Sequence, residues 1–188
     1  MKDLKNANQE VQVKNQHKED LVDHYWGTID YISSLVKASE IKAGLILSFY
    51  GILLNLIYQS FPSIYGLSQS HFTFYLLGGA WIISTIISVY FSIKCFMPRI
   101  ETKYEKNVFF FGDVISAFGN EKQFAKTFFE ISVDEDRLFD QLGQQIYILS
   151  KIAAAKFKNV NRSLQFLGLG LFIIMIWLVS SAITYVNS

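Results

Sequence analysis

Three long runs free of charge constrain this chain more than anything else in it. Ala43 to Phe61 carries no charged residue, Phe72 to Met97 none until Lys94, and Leu164 to Val186 none at all. At about 1.5 Å per residue each is long enough to cross roughly 30 Å of hydrocarbon. Lys94 stands close enough to the end of its run to snorkel to the headgroups. Soluble core helices rarely run this far uncharged. The chain is therefore expected to be an all-α integral membrane protein with three transmembrane helices, since in lipid a helix satisfies its own backbone. The 51% hydrophobic fraction matters less than its concentration in these runs.

The basic residues set the orientation. Six precede the first run: Lys2, Lys5, Lys14, Lys18, Lys37 and Lys42. Ten lie between the second and third: Arg99, Lys103, Lys106, Lys122, Lys126, Arg137, Lys151, Lys156, Lys158 and Arg162. The connector 62–71 and the C-terminal tail have none. The positive-inside bias is complete, so the N-terminus and the long connector are expected in the cytoplasm and the C-terminus outside. The first 40 residues show no short apolar stretch followed by a cleavage site, so no cleaved secretory signal is expected. Cys95 stands alone, which excludes an intrachain disulfide.

The soluble parts carry helical periodicity. Val22, Trp26, Ile29, Ile32 and Val36 recur at helical spacing before the first span. Leu138, Leu142, Ile146, Leu149, Ala153, Phe157, Val160 and Leu164 do so before the third. Two such stripes can bury each other in a cytoplasmic helical stalk that extends spans one and three. The expected order is a mobile polar N-terminus (1–20), a cytoplasmic helix (21–42), span one (43–61), an outer loop (62–71), span two (72–97), a cytoplasmic helical region (98–163) and span three (164–186). Ser132 and Glu135 suggest a capping box opening the last long helix, and Asn120 suggests a cap for a short helix through Phe129. Three consecutive phenylalanines, Phe109 to Phe111, cannot share one helix face, so some must pack on the stalk or on a neighbouring subunit.

No enzyme signature is present: no phosphate-cradling glycine loop, nucleophile elbow or HExxH. His17, Asp20 and His24 could approach one metal, but a solvated helix face explains them better, and no metal or cofactor is expected. Asp113 is read as a turn or cap residue. The basic residues of the connector, with Lys103, Lys106, Lys122, Lys126 and Arg137 as candidates, could hold an anionic ligand, although topology already accounts for them. Lys151, Lys156, Lys158 and Arg162 are placed to contact anionic lipid.

The polar residues inside the spans are more informative. Gly44, Ser48, Gly51, Asn55 and Gln59 make one stripe along span one. Ser84, Ser88 and Ser92 make a second along span two. An amide in hydrocarbon is costly unless it finds a partner or water. Close helix packing and the lining of a water-filled pore both explain such stripes. Three helices leave little room for a channel, so a pore needs several subunits.

Short motifs then add a resemblance. Glu40-Ile41-Lys42-Ala43-Gly44 resembles the acidic-x-Lys-Ala-Gly entry of the Pycsar-effector-type transmembrane domain. Pro98-Arg99 after span two, Phe110-Phe111-Gly112-Asp113-Val114, and the stretch Gln145 to Ala153 followed by Lys156-Phe157 resemble that family's elements in the same order. They cover the chain from about Trp26 to its end. The resemblance implies a bacterial inner-membrane effector of antiphage defence, controlled by a nucleotide or oligonucleotide signal from a partner nucleotidyltransferase or cyclase. Its stand-alone form is similar to Hailong-type channel effectors, which a nucleotide oligomer holds closed. On that basis the chain is expected to be a homo-oligomer, a tetramer, that opens a pore in the lipid bilayer. Ser48, Gly51, Asn55, Gln59, Ser84, Ser88 and Ser92 are its pore-lining candidates. The rival from another class is a passive membrane adaptor that anchors a cytoplasmic partner enzyme.

Overall fold

The computed structural model describes residues 2–67, 72–97 and 105–186. Lys103 and the Pro98-Arg99 pair lie outside them, as does the side chain of His17. Among the described residues there are five helices and no strand: α1 (Lys2–Leu67), α2 (Phe72–Phe96), α3 (Phe111–Ser116), α4 (Glu121–Val133) and α5 (Glu135–Val186). Three of these, α1, α2 and α5, are long and apolar enough to cross a membrane. The chain divides into two compact units, one from residues 1–35 and 99–153, the other from 36–98 and 154–188.

The first unit is built from the start of α1, the start of α5 and the short helices between them. Tyr25 on α1 packs on Phe139 of α5 with ring centroids 5.4 Å apart. Ile29 and Ile32 are buried, and Leu142 is fully so. Lys18 and Glu135 form an ion pair. The segment before α3 is pinned by Asn107, whose side chain is fully buried and hydrogen-bonded through both its nitrogen and its oxygen. Its Nδ2 donates to the Gln141 carbonyl at 2.7 Å and its Oδ1 accepts from the Phe109 amide at 2.8 Å. The Asn107 amide donates to Asp113 Oδ2 at 2.9 Å, and the Val108 amide to Gln141 Oε1 at 2.9 Å. Buried polar groups need such partners, so Asp113 acts here as a structural tie.

The phenylalanine run splits as its sequence requires. Phe110 is buried, Phe109 packs edge-on against Trp26 at 5.5 Å and against Phe128 at 5.7 Å, and Phe111 is exposed. Asn120 caps α4: its side chain accepts from the Gln123 amide at 3.0 Å while Gln123 Oε1 accepts from the Asn120 amide at 3.1 Å. Gly119 precedes this box at φ +79°, a left-handed conformation that favours glycine.

Several boundaries differ from those expected. The α1 helix begins at Lys2, inside the segment expected to be mobile, and continues through Pro62 to Leu67. Proline removes one backbone donor and so weakens a helix without always ending it. The cap of α5 is Asp134, whose Oδ1 accepts from the Arg137 amide at 3.3 Å. Ser132 lies inside α4 instead, where its hydroxyl bonds back to the Phe128 carbonyl at 2.7 Å. The expected box from Ser132 is therefore wrong by two residues, because a carboxylate is an equally good cap and stands nearer the helix start.

The second unit packs the remaining parts of α1 and α5 with α2. Its buried apolar cluster is made of small side chains: Ala43, Cys95 and Val160, one from each helix. Small side chains allow close approach, as is usual where helices meet in lipid.

Candidate functional site

Around that cluster the three helices are held by polar groups. The Lys156 ammonium on α5 donates to Glu40 Oε1 on α1 at 2.7 Å and to the Cys95 carbonyl on α2 at 2.6 Å. The Lys156 side chain is only 10% exposed, whereas that of Glu40 is 38% exposed. One cation thus joins all three helices. It uses an acceptor that α2 frees near its C-terminus, where the helix carbonyls lack intrahelical partners. This corrects the assignment of Lys156 to the lipid surface. The neighbouring cations lie over aromatic rings: Arg162 is 5.3 Å from the Phe91 centroid and Lys42 is 5.8 Å from that of Phe157.

Further along the spans, Ser163 of α5 is fully buried against the serine stripe of α2. Its hydroxyl donates to the Ser88 carbonyl at 2.8 Å and lies 2.7 Å from Ser92 Oγ. Ser88 Oγ donates to the Ser163 carbonyl at 2.8 Å, and Ser84 Oγ to the Phe166 carbonyl at 2.8 Å. The hydroxyls of Ser84, Ser88 and Ser92 are therefore engaged within one protomer. Sequence reasoning did not single out Ser163. The sequence offers only the helical spacing of Lys156, Asn159 and Ser163; the structure shows that all three are buried.

The stripe of span one differs. Ser48, Gly51, Asn55 and Gln59 are all exposed in the protomer, and only Gly44 is partly covered, with Phe96 about 3.7 Å from where a Cβ would lie. They share one α1 face, and among the described residues no polar group of α2 or α5 is hydrogen-bonded to it.

The basic candidates of the first unit are dispersed. Lys106 donates to the Ala117 carbonyl at 3.1 Å. Lys126 lies 3.8 Å from Glu130 on its own helix. Lys122 and Arg137 are exposed. Among the described residues no group of three His, Cys, Asp or Glu side chains is arranged to hold a metal.

Comparison with known proteins completes the picture. Residues 24–184 match the family described as the Pycsar effector protein domain. The chain belongs to that family. Among Pycsar effector relatives it is similar to the effector protein PtPycTM of Propioniciclava tarda. The two are 25% identical over 153 residues, covering 78% of this chain and 73% of the relative. It is also similar to the effector protein SaPycTM of Staphylococcus aureus, with 28% identity over 134 residues, covering 70% of this chain and 78% of the relative. No solved structure matches it. The clasp of Glu40, Cys95 and Lys156, the serine cluster and the Asp113 tie all fall inside the segment that matches the Pycsar effector domain.

Proposed function

We propose that this Pycsar effector domain acts as a homo-oligomeric effector of nucleotide-signalling antiphage defence in the bacterial inner membrane. Several copies, four in the simplest arrangement, line a gated pore whose opening depolarises the infected cell. The N-terminus and the unit built from 1–35 and 99–153 lie in the cytoplasm as a helical stalk, as the basic residues imply. A nucleotide made by a partner enzyme shifts the balance between closed and open states by binding one of them better. Lys106, Lys122, Lys126 and Arg137, with Lys103, are the cations available to it.

The observation that carries this reading is the exposure of Asn55 together with Ser48, Gly51 and Gln59 along one face of span one. A primary amide facing lipid at that depth is unfavourable, so the face needs either a second subunit or water. Lining a water-filled pore between subunits supplies both. The serines of span two contribute less to such a lining, because their hydroxyls already bond to Ser163 and to the Phe166 carbonyl.

The test is to induce the protein in bacteria without its neighbouring genes, and again with the partner enzyme and phage, while following membrane potential with a voltage-sensitive dye. Wild type is expected to depolarise in one of these settings and Asn55→Leu in neither, at matched membrane levels. A steady potential in every setting would favour a passive membrane adaptor that anchors its partner enzyme.

A further inference from the structure

Two surfaces of the first unit match each other. The α4 helix buries Ile131 and packs the half-buried Phe124 and the more exposed Phe128 against each other, rings 5.7 Å apart, with Phe128 also against Phe109. Its outer face carries Lys122, Lys126, Phe129 and Val133, spaced four, three and four, so they form one continuous stripe. Phe129 and Val133 are each 66% exposed and the Lys126 side chain 79%. That stripe is two cations followed by two large apolar groups.

The other surface is a groove of about 490 Å³ lined by Glu105 and by Phe139, Asp140, Gly143, Gln144 and Tyr147 of α5. It is acidic and aromatic. Asp140 Oδ2 accepts from Gln144 at 2.9 Å, while Glu105 is exposed. The Lys151 ammonium lies 5.3 Å from the Tyr147 ring at the far end. With two carboxylates on its wall the groove is a poor receptor for phosphate and a good one for an apolar side chain accompanied by a cation.

We infer that the α4 stripe of one subunit docks in the Glu105–Asp140 groove of the next copy of this chain, a head-to-tail contact repeated around a ring. This rests on the oligomeric reading above and deepens it by naming the surfaces that join the subunits. Charge complementarity selects the occupant: Lys122 and Lys126 face Glu105 and Asp140, while Phe129 enters between Phe139 and Tyr147. Because stripe and groove sit on different elements, one protomer donates and accepts at once. A heterologous contact of this kind closes into a ring when its rotation permits. Docking of the stripe on a bilayer would use its cations and its phenylalanine but leave the acidic groove without a role. Lys122 and Lys126 then serve the contact between subunits, which narrows the nucleotide candidates to Lys106 and Arg137, with Lys103.

The test uses the full chain in native membranes, with Cys95 left in place because it is fully buried. Phe129→Cys and Gln144→Cys are combined in one chain and treated with a short bis-maleimide. A ladder of dimers and higher multimers is expected from the pair and none from either single variant. Lys126→Glu is expected to lower the yield about two- to fivefold, the range of an exposed charge pair, and adding Asp140→Lys to restore it. No ladder from the pair, while Asn55→Cys chains still cross-link, would overturn this contact and leave the membrane oligomer standing. Failure of both would overturn the oligomer as well. Cross-linking by Phe129→Cys alone, or cross-linking of the pair that stops at the dimer, would mean a two-fold contact and contradict head-to-tail docking. Quenching of a fluorophore on Phe129→Cys by brominated lipid would place the stripe on the bilayer and also contradict it.

Discussion

Lys156 and Glu40 are separated by 116 positions in sequence, yet their charged groups lie 2.7 Å apart. The pair is lopsided, because the ammonium is nearly enclosed and the carboxylate still reaches solvent. Removing the partner of an enclosed charge costs more than removing the enclosed charge itself.

Glu40→Ala leaves a nearly enclosed cation on the neutral Cys95 carbonyl without its counter-charge and is expected to cost about 3 kcal/mol. Lys156→Met replaces that cation with an apolar side chain of similar length; the carboxylate left behind can hydrate, while the Cys95 carbonyl loses its donor, so the expected loss is about 1–2 kcal/mol. The double variant should resemble Lys156→Met. Thermal unfolding in detergent checks the order. Equal losses for the two single variants would show that the pair contributes only as a surface contact.

Ser163 offers a separate check on the spans. Ser163→Ala removes its hydroxyl bonds to α2, and interhelical bonds in membranes are worth about 0.6 kcal/mol each on average. A loss of about 1 kcal/mol is expected, again from unfolding in detergent. Ser163→Leu adds bulk where no surface is free, so its expected cost is larger, about 2 kcal/mol. An unchanged midpoint for Ser163→Leu would contradict the packing of α5 on α2.

Gly119→Ala probes the first unit. A Cβ there would lie 1.9 Å from Gln123 Oε1, and the backbone is at φ +79°. The capping box of α4 must open, at an expected cost of about 1–2 kcal/mol. Hydrogen exchange should quicken at the amides of the first turn of α4 and stay unchanged in the spans. Unchanged protection of that turn would argue against the box.

The spans were legible in the sequence because their signal is local: a run without charge has few alternatives once its length suits a bilayer. The Asn120 cap was legible for the same reason. The buried face of α5 was only partly legible. Periodicity points to Ile146 and Leu149, whereas Gln145 and Ile148 are the buried residues beside Leu142. Nearer span three the pattern finds Ala153 and Val160, which are buried, but misses Lys156, Asn159 and Ser163, which are buried too. A hydropathy pattern follows apolar side chains, and here the helix faces carbonyls, a carboxylate and serine hydroxyls. The partner of Lys156 is remote in the chain, so no local rule finds it. For the same reason span two's serines read as a free polar stripe until Ser163 is seen against them.

The most direct measurement concerns Asn55. Asn55→Cys and Leu54→Cys are introduced singly in full-length protein, and currents are recorded from membranes in which the wild type conducts, before and after a charged, membrane-impermeant thiol reagent. Block of Asn55→Cys currents with no change for Leu54→Cys or wild type is the expected result. Currents of Asn55→Cys that persist unaltered after complete modification would contradict a pore lined by this face of span one.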